Sequence, residues 1–237
     1  MATILLTRPQ EDSRRFALQI REQMPKIEIL VSPLMRVTYR DAVPTTAPKA
    51  LIFTSRHGVL AAQSMKLAKN IPVFAVGDAT ARAAQTLFKT VHSADGDASA
   101  LVRTIKTAAP KPPLLHIRGS HSRGEIAQTL CALGLQTDDL VAYDQDLLTL
   151  TPAAQSLLEG AKPMIVPLFS PRTAAQFATQ CPPGACLFLA CMSEAVADEV
   201  KHLPAKMRTI ADDPTASAML AALPALIASA RRLEAQG

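Results

Sequence analysis

Residues 51–62 read LIFTSRHGVLAA: an apolar run with strand character stops at Thr54-Ser55-Arg56-His57-Gly58 and resumes with helical spacing. A change of period from 2 to 3.6 across a few small polar residues marks a strand that turns tightly into a helix. Such a turn lays backbone N–H groups at a helix N-terminus, where an anion can sit. Ser and Thr are also favoured there simply as helix caps. One copy of the turn leaves both readings open.

The alternation continues on both sides. ILLTRP (4–9) leads to a helix reaching Met24, and IEILVSP (27–33), ALIFTS (50–55), PVFAVG (72–77) and TVHSA (90–94) follow, with helical stretches after the last Ser and Gly positions. LLHIRG (114–119), DDLVAY (138–143), MIVPLFS (164–170), CLFLAC (186–191) and MRTIA (207–211) continue the pattern before a closing Ala-rich helix interrupted by Pro224. Strands alternating with helices predict parallel sheets covered on both faces. Continuous apolar strands such as Ile4–Leu6 and 164–169 agree, because strands buried on both sides lose the polar alternation.

The two halves of the chain resemble one another. Ile4-Leu5-Leu6-Thr7-Arg8 aligns with Leu114-Leu115-His116-Ile117-Arg118, and Leu30-Val31 with Leu140-Val141. Phe53-Thr54-Ser55-Arg56 is answered by Leu168-Phe169-Ser170-Pro171. A second strand-to-helix turn follows in each half, at 76–80 and at 190–194. Two similar α/β units would each place their polar turns at the carboxyl ends of the strands, where ligands bind in open sheets of this class.

Composition narrows the partners. With 237 residues, 49% of them hydrophobic, the chain can bury one large or two small cores. The start MATILLTRPQ has no basic flank or long apolar stretch of a secretory signal, and no run reads as a membrane span, so a cytoplasmic protein without a membrane partner is expected. The closing helix reads as core-packed. A net charge of +5 suggests an anionic partner, but Lys and Arg are scattered and Trp is absent, which argues against nucleic acid and for a small polyanion. Cys131, Cys181, Cys186 and Cys191 have neither disulfide-framework nor zinc-like spacing and read as buried thiols, so no metal is expected.

The ordered set TRP (7–9), SPL (32–34), FTS (53–55), AVGDATA (75–81), IRG (117–119), VAY (141–143) and FSP (169–171) resembles the uroporphyrinogen-III synthase family over essentially the whole chain. The resemblance implies two similar open parallel-sheet α/β lobes joined by a two-stranded β linker, with the active site in the cleft between them. One lobe would be discontinuous, residues 1–35 plus 148–237, and the other inserted, residues 36–147 with the linker strands at its ends. It also implies cyclisation of hydroxymethylbilane, a linear tetrapyrrole, to uroporphyrinogen III with inversion of the last ring through a spiro intermediate. No cofactor is implied. The expected partner is a small polycarboxylate tetrapyrrole, handed over transiently by hydroxymethylbilane synthase, and the chain is expected to be a monomer.

Within that resemblance Tyr143 matches the family's Tyr at the end of the VAY strand and is the candidate general acid; its other reading is a ring packed at a strand end. Thr54, Ser55, Gly77, Thr80, Gly119, Ser120, Ser170, Pro171 and Ser193 are expected to shape the pocket, mostly through backbone N–H groups and short hydroxyls. Arg8, Arg56, Arg118, Arg123 and Arg172 are candidates for pairing with substrate carboxylates. His57 and His116 read as structural. The chain departs from the family pattern at Cys191-Met192-Ser193-Glu194-Ala195, where the family tends to read Gly-Pro-Thr-Thr-Ala. Two rivals remain: a non-catalytic bilobed module binding a small anion, disfavoured by the lack of a Gly-rich phosphate loop, and an unrelated transferase on a similar fold.

Overall fold

A computed structural model describes residues 2–94, 96–121 and 125–235. In chain order the elements are β1 (Thr3–Leu6), α1 (Gln10–Gln23), β2 (Glu28–Val31), β3 (Met35–Tyr39), β4 (Ala50–Phe53), α2 (Arg56–Ala62), β5 (Val73–Ala75), α3 (Asp78–Gln85), β6 (Val91–Ser93) and α4 (Ala98–Ala108). They continue with β7 (Leu114–Gly119), α5 (Ile126–Ala132), β8 (Thr137–Leu147), α6 (Pro152–Glu159), β9 (Met164–Leu168), α7 (Pro171–Gln180), β10 (Leu187–Cys191), α8 (Glu194–Glu199), β11 (Ala205–Ile210) and α9 (Ala216–Glu234). The chain divides into unit 1, Met1–Arg36 with Asp146–Gly237, and unit 2, Val37–Gln145.

Unit 1 is built on a sheet in the order β11-β10-β9-β1-β2, with parallel neighbours throughout. β9 is buried at every residue, and its side chains alternate between two cores. Met164, Val166 and Leu168 pack with Phe177 of α7 and Val196 of α8, while Ile165 packs with Phe16 of α1 and with α9. By length and composition alone α9, 19 residues of mean hydropathy 1.2, would suffice to cross a membrane. It instead lays Met219, Leu223, Leu226 and Ala230 into the second core, running through Pro224 without a break.

Unit 2 carries the order β3-β8-β7-β4-β5-β6, parallel from β8 to β6. Its sheet is also sandwiched: Leu51, Phe53, Leu115 and Ile117 meet α2 and α3, and Ala50, Ile52 and Leu114 meet Leu101 and Ile105 of α4 and Ile126 and Leu130 of α5. On the edge, Arg40 clamps Asp144 of β8 through Nε and Nη2 at 2.7 and 2.6 Å.

The duplication is therefore real and crosses between the units. β1 and β2 of the first half share a sheet with β9, β10 and β11 of the second, and β4, β5 and β6 share theirs with β7 and β8. Register matches Ile4 with Leu114, because each faces the equivalent residue of the neighbouring strand, Ile165 and Ala50. The one sequence match that shifts is Leu30-Val31 with Leu140-Val141. Val31 pairs with Leu6, and the residue facing Leu6's twin His116 is Asp139. The longer β8 carries its apolar pair two residues further along. The helices α4 and α6 also escaped the sequence reading, their N-caps Asp97 and Thr151 being single polar residues in otherwise unremarked stretches.

Candidate active site

In each unit one adjacent pair of strands marks the place where the chain's order across the sheet reverses: β1 beside β9 in unit 1, β7 beside β4 in unit 2. The helices leaving those strands cover opposite faces, which opens the edge there to a ligand. In unit 2 this edge holds Thr54 and Ser55 after β4, Arg118 and Gly119 at the end of β7, and Tyr143 of β8.

The Ser55 turn is a filled cap. Ser55 Oγ accepts from the His57 amide at 3.2 Å and its carbonyl accepts from Gly58 at 3.0 Å. Two of the turn's amides are thus taken up by Ser55 itself. Ser170 in unit 1 is filled likewise, its Oγ accepting from the Thr173 amide at 3.2 Å. At the second turns, by contrast, Gly77 and Ser193 cap α3 and α8 with no side-chain hydrogen bond.

Behind Ser55 runs a polar chain. Thr54 Oγ1 lies 3.2 Å from Nε2 of His116, His116 Nδ1 lies 2.8 Å from Asp139 Oδ1, and Arg118 Nε pairs with Asp139 Oδ2 at 2.9 Å. His116 is 1% exposed. Burial pushes the Asp139 carboxyl up, but the hydrogen bond with His116 and the charge of Arg118 outweigh it and hold Asp139 below the usual carboxylate range.

Tyr143 is buried. Gly119 is what admits its ring, because a Cβ at 119 would meet Tyr143 Cε2 at 2.6 Å and Cζ at 2.9 Å. The glycine's close approach is thus to Tyr143. Burial raises the phenol above its ordinary value, while hydrogen bonds with Ser55 and the Gly119 backbone and the charge of Arg118 pull the other way. The phenol keeps its proton through the neutral range and can donate it. Its ring neighbours are Tyr39, at 6.3 Å between centroids, and His57, at 5.7 Å, and Tyr39 Oη meets His57 Nδ1 at 2.9 Å. Both tyrosines of the chain meet in this cluster.

Of the other expected site residues in unit 2, Ser120 donates its amide to the Tyr143 carbonyl at 2.9 Å, and Arg56 opens α2, half-buried. Gly77 has open space where a Cβ would stand, and Thr80 is buried in α3. Arg123 lies outside the described residues. In unit 1, Arg8 stacks over the Phe169 ring at 4.1 Å and pairs with Asp12. Pro171 is the first residue of α7, and Nη1 of Arg172 is buried with no hydrogen-bond partner among the described residues. Ser193 caps α8 beside the exposed Glu194, and Cys191 is the buried last residue of β10.

The cysteines differ from the sequence reading, since only Cys191 is buried and Cys131 is exposed. Burial lifts the Cys181 and Cys191 thiols to about 11, so neither is a nucleophile at neutral pH. Among the described residues no three His, Cys, Asp or Glu side chains are grouped to hold a metal ion. The sequence reading set aside His57 and His116 and passed over Tyr39 and Asp139. One signal was within reach: His116 aligns with Leu6 in the internal repeat, a polar residue where its twin is apolar.

A family model described as "Uroporphyrinogen-III synthase HemD" matches residues 18–221. The chain belongs to the uroporphyrinogen-III synthase family. Uroporphyrinogen-III synthases are lyases of tetrapyrrole biosynthesis, and the substrate is accordingly a tetrapyrrole. The fold is shared with the uroporphyrinogen-III synthetase from Helicobacter pylori 26695 at a TM-score of 0.67 and 19% identity, covering 95% of this chain and 100% of that one. It is shared also with a mutant uroporphyrinogen III synthase from the extremely thermophilic bacterium Thermus thermophilus, at a TM-score of 0.55 and 12% identity, covering 96% and 99%. No curated protein matches by sequence. The anion-binding-module reading is not favoured by these findings.

Proposed function

We propose that the synthase reaction uses the carboxyl edge of unit 2, with Tyr143 as the proton donor. The carrying observation is the buried Tyr143 ring seated against Gly119 at the carboxyl end of the sheet. Hydroxymethylbilane closes without an enzyme to the non-inverted isomer, so the protein's task is to select a geometry, an orientation effect worth several kcal/mol. Proton transfer from Tyr143 to the departing hydroxyl releases water and leaves an electrophilic azafulvene. The substituted carbon of the last ring attacks it, and the spiro intermediate fragments and recloses. The proton lost as the final ring regains aromaticity restores the phenol, so the balance closes with one water released.

At the edge of unit 2 the guanidinium groups of Arg56 and Arg118 supply positive charge for acetate and propionate carboxylates, and Thr54, Ser55, Gly77, Thr80, Gly119 and Ser120 shape the surface there; unit 1 carries Arg8 and Arg172 at its own strand-to-helix turns, with Ser170, Pro171 and Ser193. We further read the protein as a cytoplasmic monomer that takes its unstable substrate from the bilane-forming enzyme. Tyr143→Phe tests the central role. Supplied with fresh hydroxymethylbilane, the variant should lose about 10²-fold in turnover to isomer III with its thermal midpoint kept, in line with the usual worth of a general acid. Unchanged turnover rules out the phenol as proton donor.

A further inference from the structure

Three positions differ in kind between the two copies of the fold. In unit 2 they are Thr54, His116 and Asp139, joined by hydrogen bonds. In unit 1 the same register positions are Phe169, Leu6 and Val31, which share one apolar core. The architecture thus needs no polar group at any of the three. A buried imidazole and a carboxylate cost free energy unless every donor and acceptor is matched. A chain that pays this cost in one copy and avoids it in the other is not doing so for the fold.

The donors and acceptors of the chain can be assigned one by one. Asp139 is ionised and only accepts, so the proton facing it sits on His116 Nδ1. In the neutral imidazole Nε2 is then a bare acceptor, and the group within reach is the Thr54 hydroxyl, which gives it its hydrogen. Thr54 Oγ1 is left with lone pairs alone. Thr54 is half-buried and lies at the point where the strand order reverses, so those lone pairs can meet a ligand. The bilane brings two kinds of polar group, carboxylates that only accept and pyrrole N–H groups that donate. A hydroxyl locked as an acceptor selects the second.

We propose that His116 is a positioning residue of the synthase: held by Asp139, it takes the Thr54 hydroxyl proton in a hydrogen bond and makes Thr54 an acceptor for a pyrrole N–H of the substrate. This rests on the reading that the bilane occupies the carboxyl edge of unit 2. It adds a recognition of the pyrrole backbone to the recognition of carboxylates by arginine. It also assigns His116 and Asp139, neither of which touches substrate, a role exerted through Thr54.

The test combines steady-state kinetics and product-isomer analysis with heteronuclear NMR of the imidazole nitrogens, on the wild type and on Thr54→Val, His116→Leu, Asp139→Asn and the Thr54→Val/His116→Leu double variant. The wild-type spectrum should show His116 protonated at Nδ1 and bare at Nε2. Thr54→Val and His116→Leu should each raise KM about tenfold with kcat little changed, the worth of one hydrogen bond inside a protein. The double variant should be no worse than either single one, because both remove the same bond. Asp139→Asn keeps the shape but can donate to Nδ1, which reverses the tautomer and should raise KM alike. His116→Leu copies a residue that unit 1 already accommodates, and were it nonetheless to misfold, Asp139→Asn and Thr54→Val carry the test alone. A wild-type proton on Nε2, or KM indifferent to Asp139→Asn and Thr54→Val in an active enzyme, overturns the proposal. A wild type that yields only isomer I would instead bring down the reading of the reaction itself.

Discussion

Arg8, two residues past β1, and Arg118, near the end of β7, occupy twin positions, and what each finds there differs. Arg8 lies 4.1 Å over the ring of Phe169, which in turn meets Phe16 edge-on at 5.0 Å, with Leu6 fully buried behind. Arg118 meets a carboxylate, Asp139, which holds a buried histidine, which holds a threonine. One backbone arrangement, used twice, thus carries an apolar plug in unit 1 and a hydrogen-bonded chain in unit 2. The apolar version shows what the fold needs at this place, and the polar version is a specialisation laid over it. The second turns show a milder asymmetry, Gly77 against Ser193, both with an acidic residue opening the helix, Asp78 and Glu194.

The largest effect should come from moving the polar residue into the apolar copy. Leu6→His would bury an imidazole beside Val31 and Phe169, which offer it no partner, and should destabilise the protein by about 3 kcal/mol. Denaturant midpoints measure this. A loss below about 1 kcal/mol would mean that the site tolerates an unsatisfied imidazole, and the contrast between the copies would lose its energetic basis.

Next in size is Gly119→Ala. The added methyl collides with the Tyr143 ring, which has Tyr39 and His57 on its other sides. The ring has to shift, and turnover should fall about tenfold as the phenol leaves its position between Ser55 and the backbone. The twin position already carries a side chain, Pro9, so the demand for glycine is particular to unit 2. Turnover unchanged in a folded Gly119→Ala variant would show that Tyr143 needs no exact seat.

Much of this organisation was legible in the residues. The continuous apolar runs at β1, β4 and β9 announced parallel strands covered on both faces, and the match of 4–8 with 114–118 survived as strand register. The elbow at 53–55 was seen, and so was its twin at 168–170. What stayed hidden depends on contacts made at a distance along the chain. Thr54 and His116 are 62 residues apart and His116 and Asp139 are 23, so their hydrogen bonds exist only once β4, β7 and β8 lie side by side. The role of Gly119 was hidden for the same reason, since its neighbour is a ring from the next strand. The match of Leu30-Val31 slipped by two because an apolar pair can occupy either of two positions on the same face of a strand, and only the partner strand decides between them.

The smallest effect belongs to acid stability. Asp139 is held below its ordinary range in the folded protein, so the folded state gives up its proton more readily than the unfolded chain does. The stabilisation is complete above about pH 4, the unfolded carboxylate value, and is lost as the pH falls through the lower folded value. Val31, the twin, contributes nothing of the kind. Asp139→Asn should therefore lower stability at neutral pH, by breaking the pair with Arg118, yet flatten its decline on acidification, so that the two stability curves converge toward low pH. About a third of the Asp139 side chain is exposed, and solvent screens the pair, which keeps the difference small. Parallel curves over the same interval would mean that the carboxylate gains nothing from His116 and Arg118, and that the chain from Arg118 to Thr54 is held by packing instead of charge.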